Sequence, residues 1–172
     1  MSEREVRELV AKAERSLAAA EQLLEHGDCD FAFLDTNVYL EAFRSEDKQA
    51  RFRKTFFPLL PATFLSAVVA YELSVNAQDR RTPSLLREFI HPMERTGRVV
   101  TPTFDDWLKA SAVMSAVGER DRAWRSKLPG LLNDILIALC ARQIGALLFT
   151  YNRADFRLIR RHIGFSLRLL EG

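Results

Sequence analysis

The chain is poor in the residues on which nucleophilic and metal-thiolate sites are usually built. Its 172 residues include two cysteines and three histidines. Cys29 and Cys140 have no CxxC spacing, and His26, His91 and His162 have no ligand spacing, so neither a disulfide framework nor a zinc site of the usual pattern is encoded. No Ser-His-Asp elbow or Cys-His pairing is present, which argues against a side-chain nucleophile. No glycine-rich phosphate loop supports nucleotide binding in the P-loop or Rossmann manner. A secretory signal and an apolar run of membrane-spanning length are both missing, so a reduced, cytoplasmic protein with no membrane partner is expected. Excess charge is missing too: the formal net charge is +2, and a case for nucleic-acid binding must rest on where the charges sit.

What remains is an ordinary globular composition, 48% hydrophobic and 28% charged, in a chain long enough to bury its own core as one domain. Residues 2–25 lack glycine and proline and carry Val6, Leu9, Val10, Ala13, Leu17, Ala20 and Leu24 on one stripe, predicting a long amphipathic helix closed by Gly27. That face packs on the domain's own core or serves as a contact for another chain. The run Phe31-Ala32-Phe33-Leu34 then reads as a buried strand ending on Asp35-Thr36-Asn37.

Helices are expected over residues 38–43 and 47–57, the second stopped by Pro58. A strand is expected over 59–65, its prolines suiting a strand start or an edge. Ser66 caps a helix over 67–77, and Thr82-Pro83-Ser84 opens another that His91-Pro92 bends or ends. A short strand over 98–101 precedes a capped helix from Thr103 to about Val117. After a polar connection over 118–130 come a buried helix over 131–141, closed by Gly145, a strand over 146–150, a polar loop or first helical turn over 151–156, and a last strand over 165–170. Strands alternating with helices predict an α/β domain with a mostly parallel sheet, whose sites gather beyond the C-terminal strand edges.

The acids stand out against this background. Asp35 and Asp155 follow strand ends, while Glu72 and Asp134 lie early in helices that are otherwise apolar. Taken singly, Asp35 also reads as a helix cap. Taken together, four carboxylates in one core are expensive unless they surround a cation, and Mg²⁺ or Mn²⁺ takes carboxylate oxygens while also holding phosphodiesters.

The ordered set Leu34-Asp35-Thr36-Asn37, Ser66 through Glu72-Leu73, Asn133-Asp134-Ile135-Leu136-Ile137-Ala138 and Thr150-Tyr151-Asn152-Arg153-Ala154-Asp155-Phe156 resembles a PIN domain of the VapC toxin type. The resemblance spans the chain from about Phe31 onward. It implies a PIN-like three-layer α/β/α sandwich over residues 28–172; residues 1–27, expected as a helical extension packed on that domain, have no counterpart in a minimal toxin of this type. It also implies a metal-dependent endoribonuclease, the toxin of a toxin-antitoxin pair, with a small antitoxin and a homodimer as partners. By the same resemblance Asp35, Glu72, Asp134 and Asp155 are the catalytic and metal-binding acids, with Asn37, Thr150 and Asn152 in support. Asn152 stands where some relatives carry their fourth acid, so it and Asp155 share that assignment.

The chemistry expected is hydrolysis of RNA by metal-activated water. Arg153 and Arg157, followed by Arg160 and Arg161, and the segment with Arg120, Arg122, Arg125 and Lys127 around Trp124 are the expected RNA contacts; each cluster also reads as a solvated face. An aspartyl-phosphate phosphatase would want an acid two residues after Asp35, where Asn37 stands. The rival from another class is a catalytically idle PIN-like module that binds RNA or a partner protein.

Overall fold

A computed structural model describes residues 4, 7, 29–76, 82–120 and 128–171. Of the helix expected over residues 2–25 only Arg4 and Arg7 are described, both helical. The rest of that helix, its Gly27 cap and the segment from Arg122 through Trp124 and Arg125 to Lys127 lie outside the described residues.

Five strands form one sheet: β1 (Ala32–Leu34), β2 (Thr63–Ser66), β3 (Val99–Val100), β4 (Leu147–Thr150) and β5 (Ser166–Leu169). Their order is β3-β2-β1-β4-β5, and every pairing is parallel. The three residues of β1 are fully buried, as expected of a central parallel strand, whereas Ser166 and Arg168 of the edge strand β5 are exposed.

Seven α-helices connect the strands among the described residues: α1 (Thr36–Phe43), α2 (Glu46–Phe56), α3 (Ala67–Val75), α4 (Thr82–Arg95), α5 (Phe104–Arg120), α6 (Leu128–Gln143) and α7 (Arg153–Ile159). From β1 the chain winds outward through β2 to β3, then returns to the other side of β1 and winds outward through β4 to β5. Crossovers in opposite directions along the sheet place helices on both of its faces and give the expected three-layer sandwich.

Helix α6 is the spine of the core. Every residue from Ile135 to Ala141 is at most 1% exposed, so the helix is enclosed on all sides. It ends on Gly145, whose φ of 65° takes the left-handed conformation of a helix C-cap before β4 begins. On the opposite flank Phe52 stacks between Tyr39 and Phe56, at 5.8 and 5.1 Å between ring centroids. Phe56 meets Phe149 edge-on at 5.7 Å and so joins α2 to β4.

Three local expectations need correction. The segment read as a strand over 59–65 opens with a 3₁₀ turn, Leu60–Ala62, and only then extends into β2. Arg98, from the turn before β3, donates to the carbonyls of Leu60, Pro61 and Thr63 and so stabilises that turn. Helix α4 does not end at His91 but runs on to Arg95 with Pro92 inside it. Met93, 1% exposed, anchors its last turns, and Thr96 Oγ1 donates to the Pro92 carbonyl at 2.8 Å. The segment after β4 is a full helix, α7, with Asn152 as its N-cap.

Candidate active site

The order of the sheet reverses between β1 and β4, and at such a switch point the loops beyond adjacent strands diverge and leave a crevice. Asp35 leaves β1 there and Thr150 ends β4 beside it. Asp35 is 2% exposed. Its Oδ1 accepts from the Thr36 amide at 2.7 Å, capping α1, and its Oδ2 accepts from Asn37 Nδ2 and from Thr150 Oγ1, each at 2.6 Å. Cap and cluster member are therefore the same carboxylate, and the two sequence readings of Asp35 are compatible.

Ser66 accepts from the Val68 amide at 3.1 Å and so starts α3, which carries Glu72 to the same crevice. There Glu72 Oε2 accepts from Thr36 Oγ1 and its Oε1 from Asn133 Nδ2 at 2.7 Å. Asp134, next to Asn133 on α6, and Asp155, in the first turn of α7, are joined through one amide: Asn152 Nδ2 lies 3.0 Å from Asp134 Oδ2 and 2.8 Å from Asp155 Oδ2. Asn152 N donates to Thr150 Oγ1 at 2.9 Å, and Tyr151 N donates to Asn37 Oδ1 at 3.1 Å. Asn37, Thr150 and Asn152 thus form one polar network with the acids.

Thr36 and Asn133 were not singled out as site residues in the sequence, yet both hold Glu72. The available signal was their adjacency to Asp35 and Asp134. As for the fourth acidic position, Asn152 is the donor that links Asp134 to Asp155, and Asp155 is the carboxylate. Arg153 and Arg157 are exposed on α7, Arg120 ends α5, and Arg122 and Arg125 lie outside the described residues.

The electrostatics follow from this crowding. Burial, with a smaller push from the Glu72 charge, raises the Asp35 pKa to about 6 even though Thr150, Thr36 and Asn37 donate to its charged form. Burial and the charges of Asp35, Asp155 and Glu72 raise Asp134 to about 8. Among the described residues no lysine, arginine or histidine pairs with any of the four acids. Nor, among those residues, is any group of three or more histidine, cysteine, aspartate or glutamate side chains spaced to hold a metal ion as it stands. The carboxylate oxygens are instead turned onto threonine and asparagine donors. In chemistry the set still fits a hard divalent cation: its donors are oxygens, and the like charges that raise Asp134 have no protein counter-charge.

A parallel α/β domain with carboxylates gathered at its switch point defines the class. Residues 32–161 match the PIN domain family, and the chain belongs to that family, whose members are generally nucleases. Two solved structures share the fold. One is FitAB bound to an IR36 DNA fragment, with a TM-score of 0.53 and 18% identity over 83% of this chain and 99% of that one. The other is VapBC2 from Rickettsia felis bound to a DNA fragment from its promoter, with a TM-score of 0.53 and 18% identity over 82% and 99% of the two chains. At these identities the likeness is one of fold. A comparison with curated proteins gives no match. Among the described residues no helix is long and apolar enough to cross a membrane.

Proposed function

We propose that the protein is a metal-dependent endoribonuclease and the toxin of a toxin-antitoxin pair. The observation that carries this reading is the meeting of Asp35, Glu72, Asp134 and Asp155 at the switch point with, among the described residues, no basic side chain paired to them. Asp35, Glu72, Asp134 and Asp155 hold Mg²⁺ or Mn²⁺. Asn37, Thr150 and Asn152, together with Thr36 and Asn133, fix the carboxylates in orientation. Bound there, the ion supplies Lewis acidity, lowering the pKa of a water for in-line attack on phosphorus and neutralising charge on the leaving oxygen. Arg153, which directly follows Asn152, and Arg157, one turn further along α7, are exposed and meet the RNA backbone as phosphate contacts.

The two-protein FitAB and VapBC2 assemblies support a small antitoxin as partner, and a homodimer fits the same reading. On this reading the nuclease domain comprises residues 28–172 and the protein works in the cytoplasm. The decisive experiment incubates the purified chain with a mixed RNA pool, with Mn²⁺ or with chelator. Cleavage with Mn²⁺, lost in chelator and in Asp134→Asn, is expected; intact RNA throughout, with no metal-induced shift in melting temperature, would sink the proposal.

A further inference from the structure

Next to the acid cluster lies a cavity of about 320 Å³ between α1, α2 and the segments that leave β4 and β5. Its volume is near the lower end of the roughly 300–1,000 Å³ usual for ligand sites. The cavity adjoins the acids through the chain itself, because Val38 and Tyr151 in its wall directly follow Asn37 and Thr150.

The charges in this wall are unequally engaged. Glu41 is occupied by Lys48 and by Arg44, the latter at 2.8 Å. Arg51 is exposed on α2 and has no hydrogen-bonded or ionic partner among the described residues, and the same holds for Glu171 on the segment past β5. The wall's own charges, Lys48 and Arg51 against Glu41 and Glu171, balance, and with Lys48 taken up by Glu41 it is Arg51 and Glu171 that remain to meet a ligand. A free guanidinium, an aromatic ring and a free carboxylate therefore surround one cavity, a residue away from the proposed chemistry.

We propose that this cavity is the subsite for the nucleotide adjoining the cleaved phosphodiester, taking its phosphate on Arg51, its base against Tyr151 and guanine in preference through Glu171. The inference rests on the ribonuclease reading above. A guanidinium fork matches phosphate oxygens in geometry as well as charge. Tyr151 is half-buried, which leaves part of its ring for stacking, and single-stranded RNA bases are commonly held in this way. A carboxylate takes two adjacent N–H donors, and guanine presents such a pair, N1–H and N2–H, on its Watson–Crick edge. The side chains of Arg51 and Glu171 lie outside the acid network, and Tyr151 meets it only through its backbone amide, so the subsite side chains can be altered without touching the carboxylates.

The test measures binding of a single-stranded RNA oligonucleotide to the full chain in chelator, against a silent Asp134→Asn background, as salt is varied. Arg51→Gln is expected to weaken binding about tenfold at low salt and to flatten the salt slope by about 0.7, while Arg51→Lys retains the slope. In parallel, cleavage-site mapping with Mn²⁺ should show guanine enriched at the flanking position, and Glu171→Gln should erase that enrichment among the products that form. If the RNA is cleaved but Arg51→Gln leaves the slope unchanged, the subsite is overturned, the nuclease reading stands and the cavity is left to a protein partner. Cleavage with no base enrichment overturns the role of Glu171. RNA neither bound nor cleaved overturns both readings.

Discussion

Asn152 joins Asp134 to Asp155 with a single side-chain amide, its Nδ2 lying 3.0 Å from one carboxylate and 2.8 Å from the other. An NH₂ group has two protons, so each acid receives one. Two acids from different helices, α6 and α7, are held together by a neutral donor. The same residue caps α7, its Oδ1 accepting from the Asp155 amide at 3.3 Å.

Asn152→Asp separates these roles. Aspartate caps a helix as well as asparagine does, so α7 still starts at the same place. The bridging donor is lost and a further negative charge enters the cluster. Metal-free stability should fall by about 1–3 kcal/mol, read by chemical denaturation in chelator, and saturating Mn²⁺ should recover most of it. A variant as stable as the parent in chelator would show that the bridge contributes nothing.

Asp134→Asn and Asp35→Asn should act in opposite directions on the metal-free protein. Burial and three neighbouring acids force Asp134 to take up a proton on folding that it would lack when unfolded, and an asparagine avoids that cost, so the variant should raise the melting temperature by several degrees, corresponding to about 1 kcal/mol. Asp35 instead accepts from Thr36 N, Asn37 Nδ2 and Thr150 Oγ1, and an asparagine there would turn its own N–H groups toward at least one donor. Asp35→Asn should gain no stability or lose some. Both variants should lose the stabilisation that Mn²⁺ gives the parent. Thermal scans with chelator and with Mn²⁺ provide the comparison, and a fall for Asp134→Asn would mean that its charge is structural.

The raised acids also set a pH dependence for the metal-free protein. Asp35 and Asp134 hold their protons up to about pH 6 and 8 in the folded state but only to the ordinary 3.8 when unfolded. Between those values the folded state binds more protons than the unfolded one. Stability therefore falls as pH rises, and the contribution present below about pH 4 is lost by pH 6 for Asp35 and by pH 8 for Asp134. The decline should be on the order of a few kcal/mol. Denaturation midpoints in chelator from pH 4 to 8 measure it, and Asp134→Asn should flatten the upper half of the curve. A profile that rises over that range would contradict the electrostatics of the cluster.

Features set by near neighbours were legible in the sequence. The buried runs of β1 and β4, the Ser66 cap and the Thr103–Asp106 capping box, with Thr103 N donating to Asp106 Oδ2 at 2.8 Å, each depend on residues a few positions apart. Features set by distant partners were not. Residues 59–65 read as a continuous strand because the guanidinium that fixes their 3₁₀ turn comes from Arg98. Thr36 and Asn133 stood inside the motifs without a role of their own, because Glu72, which both hold, lies 36 and 61 positions away. Similarly, that Asn152 bridges Asp134 and Asp155 is a matter of the α6–α7 approach, which spacing does not contain. The four acids were recognisable because each lies in a local context where an unpaired charge is costly.

The hold of Thr36 on Glu72 yields the last prediction. Thr36 is 7% exposed at the start of α1, and its hydroxyl donates to Glu72 Oε2 while its amide donates to Asp35. Thr36→Val keeps the shape and the amide but removes the hydroxyl, so the capping bond remains and one oxygen of Glu72 loses its orienting donor. Residues behind metal-binding carboxylates typically change metal affinity by about 10–100-fold when their hydrogen bond is lost. The variant should need roughly tenfold more Mn²⁺ for half-maximal thermal stabilisation, with RNA cleavage restored at high Mn²⁺ and the metal-free fold weakened by no more than about 1 kcal/mol. If the Mn²⁺ midpoint does not move while metal-free stability drops, Thr36 serves the fold of α1 and has no part in presenting Glu72.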